Sequence, residues 1–202
     1  MMTDVAYDIL IIQGDSRMIS EMTTLLQNGF YLKATTGKNL REILIEIGFS
    51  NEFIDTSIKT VFLNSQPVDD IDRTHVSEWD VVGLSGSMPG LVGASLRSGS
   101  YLASFRQTIT QVPEEPTEDL TKGMIRFKTF NVVLKETGEH FLKGGLFLKA
   151  TRLSGFLQER NRSFFEHCHR ILFNDKAVDF RSGNLNKIKF SSDLVFFQAS
   201  RT

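Results

Sequence analysis

The residues best placed for chemistry are those of the stretch 85–97, Ser-Gly-Ser-Met-Pro-Gly-Leu-Val-Gly-Ala-Ser-Leu-Arg. Gly-rich loops of this kind turn backbone N–H groups toward phosphate or carboxylate. Ser85, Gly86, Ser87, Gly90, Gly93 and Arg97 are therefore the candidate ligand or partner loop, with Arg97 its best anion contact. The stretch lacks the Lys-Ser/Thr that completes a P-loop and opens no clear strand–Gly–helix unit. Tight backbone packing between two domains explains the same glycines. A nucleophile elbow is excluded, because Gly83-Leu84-Ser85-Gly86-Ser87 lacks the second Gly of that sharp turn. His167-Cys168-His169 is the one cluster suited to a transition metal, yet zinc takes about four ligands and only three stand here. Cys168 follows an apolar helix face, where it reads as a small buried hydrophobe. Asp69, Asp70 and Asp72 follow a turn and lack the Gly and Glu of a calcium loop. No catalytic residue, metal or cofactor is assigned.

Composition narrows the partners. The chain has 202 residues, enough for one large domain or two small ones, with 24 acidic and 23 basic side chains. A net charge of −1 supplies no field for nucleic acid or an anionic membrane. Arg160, Arg162, Arg170, Arg181, Lys187 and Lys189 make the second half the more basic, but acids lie between them, as on a solvated surface. Apolar residues make up 41%, charged residues 23%, as in globular chains. The lone Cys168 excludes an intramolecular disulfide and fits a reducing cytoplasm. The opening residues lack the basic region of a signal peptide, and the apolar run Ile9–Ile12 is too short for a membrane span. Seventeen Phe against one Trp and three Tyr put the aromatic content into burial without polar handles.

The elements that position these residues come in two sets. Gly29-Phe30-Tyr31-Leu32-Lys33-Ala34-Thr35 returns as Gly145-Leu146-Phe147-Leu148-Lys149-Ala150-Thr151, five identities in seven. Residues 61–69 match 171–179, 80–82 match 193–195, and 7–11 can be laid on 130–134. Four collinear blocks point to a duplicated domain, with two copies too few for a solenoid. In the first copy, 7–13, 29–35, 60–64 and 80–84 read as strands. Asn39 caps a helix through Leu40, Ile43, Leu44 and Ile47, and Gly48 stops it. Extra residues fall at 15–21 and 51–57. In the second copy, 130–135 and 146–151 read as a hairpin around a Gly-bearing turn at 136–145. A helix runs from Ser154 to His167, burying Phe156 and Phe164 and exposing Arg160. Strands at 170–174, 187–190 and 194–197 complete it, with a turn at Asn174-Asp175-Lys176.

This order is α+β and resembles two tandem ubiquitin-like β-grasp domains. Val61-Phe62-Leu63-Asn64 with Val68, then Trp79-Asp80-Val81-Val82, is similar to the sulfur-carrier branch, the molybdopterin-synthase small subunit and the thiamin carrier. Ser65, Asp175, Trp79 and Ser192 stand where that branch has Gly. The resemblance implies a carrier terminus of Gly-Gly, whereas this chain ends Ala199-Ser200-Arg201-Thr202, so the carrier role is expected to be lost.

Residues 1–112 are assigned to the first copy with its Gly-rich connector and an added strand at 101–110. Residues 113–125 form an acidic, Pro-bearing linker, and 126–202 the second copy. Leu91, Val92 and Leu96 are expected to be hidden, and cleavage at 113–119 to release two stable halves. The leading functional expectation is a non-catalytic protein-binding or scaffold module in the cytoplasm, with a protein partner or a second copy and neither nucleic acid nor membrane. A second is an anion or small-molecule binder, or an enzyme, with a site between the domains lined by 85–97. The third is a degenerate sulfur-carrier relative that still binds an adenylating enzyme.

Overall fold

A computed structural model describes residues 7–101, 104, 106, 109–112, 120–180 and 188–202. The expectations on the opening residues, on 113–119, and on Arg181 and Lys187 lie outside the described residues. The chain begins with strand β1 (Asp8–Gly14), helix α1 (Ser16–Thr23), a 3-10 turn (Thr24–Asn28) and strand β2 (Phe30–Thr36). Helices α2 (Leu40–Glu46) and α3 (Asn51–Ser57) lead to β3 (Thr60–Leu63), β4 (Gln66–Val68) and β5 (Val81–Ser85). A short helix α4 (Gly90–Leu96) precedes β6 (Thr121–Phe130), α5 (Asn131–Gly144) and β7 (Leu146–Lys149). Then come α6 (Ala150–Gln158), α7 (Arg162–Glu166), β8 (Cys168–Phe173), β9 (Lys176–Ala177) and β10 (Leu194–Arg201). Around α4 the same order thus occurs twice: strand, helix, strand, two helices, three strands.

The contacts gather into two units that interleave along the chain. One takes the chain through Phe30 together with everything from Thr137; the other is Tyr31–Glu136. The consecutive division into 1–112, 113–125 and 126–202 is therefore not the one the contacts make, and the expected linker overlaps β6 from Thr121. In the first unit the strands lie in the order β7-β10-β1-β8-β9; in the second, β4-β3-β5-β6-β2. Each sheet holds a parallel pair, β1 with β10 (Leu10 beside Phe197) and β5 with β6 (Val82 beside Phe127). Antiparallel neighbours lie on both sides of β1–β10, and β3 runs antiparallel to β5. The fold is α+β, as expected.

In each unit one face of the strands carries the apolar core. Alternate residues Leu10 and Ile12 of β1, and Val195, Phe197 and Ala199 of β10, are fully buried. In the other unit Val61, Leu63, Val82, Leu84, Ile125 and Phe127 fill the same role, as the period of two in a half-covered strand requires. Local signals set the boundaries. Asn39 and Glu42 form a capping box at α2, and Gly48, at φ 106°, ends the chain's run past that helix. Asn64-Ser65 and Asn174-Asp175 all take left-handed φ, making the tight turns β3–β4 and β8–β9.

Several expectations change. Residues 131–144 are helix rather than the first strand and turn of a hairpin, and the strand lies upstream at β6. Asn131, at φ 53°, breaks the strand, and Val133, Phe141 and Leu142 then bury one helical face. The insert foreseen at 15–21 is α1, capped by Asp15, whose Oδ1 accepts from the N–H groups of Arg17 and Met18. The helix expected from Ser154 begins instead at Ala150, so β7 stops at Lys149 while β2 runs on to Thr36, and it breaks into α6 and α7 around Asn161. Residues 188–190 are not strand, and the described residues of 101–110 carry none. No helix among the described residues is long and apolar enough to cross a membrane.

Candidate functional site

The Gly-rich stretch starts where the parallel strands β5 and β6 end together, since Ser85 pairs in register with Phe130. Ser85 is buried, and its Oγ accepts a hydrogen bond from Asn131 Nδ2 at 3.2 Å. Asn131 immediately follows β6 and opens the 14-residue helix α5, so the helix N-terminus stands at this edge. Gly86 packs against Val132: a Cβ there would overlap Val132 Cγ1. Ser87 is exposed, and its Oγ accepts from Arg97 Nη2 at 3.4 Å. Ser85, Gly86, Ser87 and Arg97 are thus brought together. Gly90 and Gly93 serve the backbone instead. Gly90 has φ 80° with open space around it, and a Cβ at Gly93 would strike the Met88 carbonyl.

Two further groups meet this cluster. Thr60, at the start of β3, stands directly opposite Ser85, so both side chains share one sheet face. Thr60 is 1% exposed, and its Oγ1 has no hydrogen-bond partner. Beside it Lys59 N–H donates to the Ser85 carbonyl at 2.9 Å, and Ser98 N–H to the Lys59 carbonyl at 3.1 Å. These bonds bring the chain just after Arg97 alongside the start of β3.

The segment is anchored by Arg106, only 4% exposed. Its guanidinium holds both Asp69 carboxylate oxygens (2.6 and 3.1 Å), the Ser95 carbonyl (2.6 Å) and Thr110 Oγ1 (2.8 Å). A buried arginine is stable only with its donors paired in this way. Ser98 Oγ donates to the Asp69 carbonyl, and Gln111 N–H to that of Pro67. The connector is packed, but Leu91 and Val92 are not hidden as expected: they are 76% and 71% exposed. Gly93 lies inward on α4, and the apolar residues on either side of it do not share that face.

The other sequence candidates have structural partners. His167 Nδ1 lies 2.8 Å from Asp15 Oδ2, whereas His169 Nδ1 meets Thr202 Oγ1 at 2.5 Å. Cys168 between them is buried, and burial followed by the nearby Asp15 and Glu21 charges pushes its thiol up to about 12. Asp69 belongs to Arg106 and Asp72 to Arg41, while Asp70 Oδ1 accepts from the N–H groups of Asp72 and Arg73. Among the described residues no group of three or more His, Cys, Asp or Glu is arranged to hold a metal.

Thr60, Arg106 and Asn131 were not singled out in the sequence. Thr60 reads as an ordinary β-branched strand residue, and Arg106 as one cation in a mixed stretch. Asn131 carried a usable signal, an Asn between a strand and a run of helix formers. No family model matches the chain, and no curated protein or solved structure matches it.

Proposed function

We propose that the chain is a non-catalytic module that docks on another protein through the segment 90–112. The observation that carries this is the distribution of exposed apolar side chains. Of ten large ones on the described surface, five fall in this segment: Leu91, Val92, Tyr101, Ile109 and Val112. Scattered exposed apolar groups need no explanation, but a concentration on a firmly anchored segment marks an interaction surface. Arg106 ties Ser95 and Thr110 of that segment to Asp69, and such preorganisation lowers the entropic cost of association.

We also read the chain as tandem β-grasp copies, in the cytoplasm, with a distant likeness to the sulfur-carrier branch. The repeated element order supports this. So does one detail shared by the two tight turns. Asn64 accepts from Val81 N–H and donates to Asp80; Asn174 accepts from Ile9 N–H and donates to Asp8. A constant offset of 116 now pairs Ile9 with Ile125, Leu26 with Leu142 and Gly29 with Gly145, with no insertion at 15–21. By this reading β1 fills the slot in its unit that β5 fills in the other.

The test is the double variant Leu91→Ser, Val92→Ser. It should leave the unfolding free energy unchanged within about 0.5 kcal/mol, because neither side chain is buried. It should abolish association measured by sedimentation velocity, the first partner examined being a second copy. A wild-type chain that is strictly monomeric and binds no apolar dye would overturn the reading.

A further inference from the structure

We propose a binding site for a small oxyanion, a phosphate or carboxylate group, where β3, β5 and β6 meet the N-terminus of α5. The residues are Thr60, Ser85, Ser87, Arg97 and Asn131. The argument concerns which hydrogen-bonding capacity is already used. One of the two Ser85 Oγ lone pairs is taken by Asn131 Nδ2, and its O–H has no acceptor. Ser87 Oγ likewise accepts from Arg97, leaving its O–H free to donate. The Arg97 guanidinium makes only that 3.4 Å contact among the described residues and reaches no carboxylate there, so most of its five donors are unused among them.

Thr60 is the independent observation. Its hydroxyl is enclosed, stands on the Ser85 side of the sheet and has no partner. A buried hydroxyl in that condition costs free energy unless something accepts from it. Three hydroxyls with unused O–H groups beside an under-used guanidinium suit a ligand that accepts from several donors at once. Helix α5 adds the positive end of a 14-residue dipole at the same edge. Parallel strands ending side by side before a helix is also where ligands collect in parallel sheets.

This site is independent of the apolar surface, because Leu91 and Val92 contribute nothing to it. Isotope-labelled full-length chain titrated with inorganic phosphate, and separately with acetate, at fixed ionic strength provides the test. At least one anion should produce saturable amide shifts at Thr60, Ser85 to Ser87 and Asn131 to Val132. Arg97→Gln, on an exposed side chain, should weaken that binding at least fivefold without changing the fold. Thr60→Val, close to isosteric, should weaken it at least threefold. Saturation by phosphate alone would identify a tetrahedral oxyanion, and by acetate alone a carboxylate. Shifts that never saturate, that scatter over surface lysines, or that persist unchanged in both variants would overturn the proposal.

Discussion

Glu46 illustrates how one carboxylate is held by its surroundings. Its burial raises the pKa, but donors from Lys122 (2.6 Å), Lys38 (2.9 Å) and Thr35, through both N–H and Oγ1, outweigh that and hold the group at about 2. The folded pKa is depressed below the ordinary 4.5, so the stabilisation is complete above that value and is lost as pH falls toward 2. Glu46→Gln should therefore flatten the acid limb of a stability curve between about pH 4.5 and 2. The loss at neutral pH should be on the order of 1 kcal/mol, since Lys122 is exposed, Lys38 partly so, and both are screened by solvent. Urea midpoints of wild type and variant at pH 7, 4 and 3 measure this. An equal drop in both proteins on acidification would show that Glu46 is not the responsible group. Asp8 belongs to the same class, its desolvation outweighed by donors from Asn174, Ser191 and Ser192, so the acid limb of the variant stays sloped.

At the scale of elements, α6 and α7 bury what the phase of their sequence says they should. Phe156 and Phe164 are both buried and meet edge to face, with ring centres 6.1 Å apart. Phe164→Ala should cost about 3–5 kcal/mol by equilibrium unfolding. Arg160 is not the free surface residue its position suggested. It lies 4.2 Å from the Phe156 ring centre and pairs with Glu21 at 2.8 Å, so Arg160→Ala should cost about 1 kcal/mol. A cost indistinguishable from zero would show that both contacts are idle. The buried Phe positions were legible from their spacing, although the helix that carries them is broken into α6 and α7 around Asn161. The α5 region was not, because Val132 and Val133 have high β-propensity, which tertiary packing overrode. Likewise Leu91 and Val92 were assigned to the interior on hydrophobicity alone, a rule that holds in one direction only. The candidate site divides along the same line. Ser85, Gly86, Ser87 and Arg97 were readable because they are neighbours in sequence. Thr60 and Asn131 join them through strand register, which no local pattern encodes.

Across the whole molecule, the interleaving of the two units decides how the chain should respond to being cut. A single cut within 113–119 leaves one fragment carrying β1 to β5 and another carrying β6 to β10. Neither fragment then owns a complete unit. β1 is hydrogen-bonded between β10 and β8, so the first unit needs the N-terminal fragment for a central strand. β6 lies between β5 and β2, so the second unit needs the C-terminal fragment in the same way. Removing either strand would strip a ladder on both sides and expose Leu10 and Ile12, or Ile125 and Phe127, all fully buried. With a specific protease site engineered into 113–119, the nicked protein should therefore elute as one species at the size of the intact chain. Its fragments should separate only in denaturant, and fragment 126–202 expressed alone should lack a cooperative unfolding transition. Two separately eluting folded halves, the outcome a consecutive pair of domains requires, would show that β1 and β6 do not bind the units together.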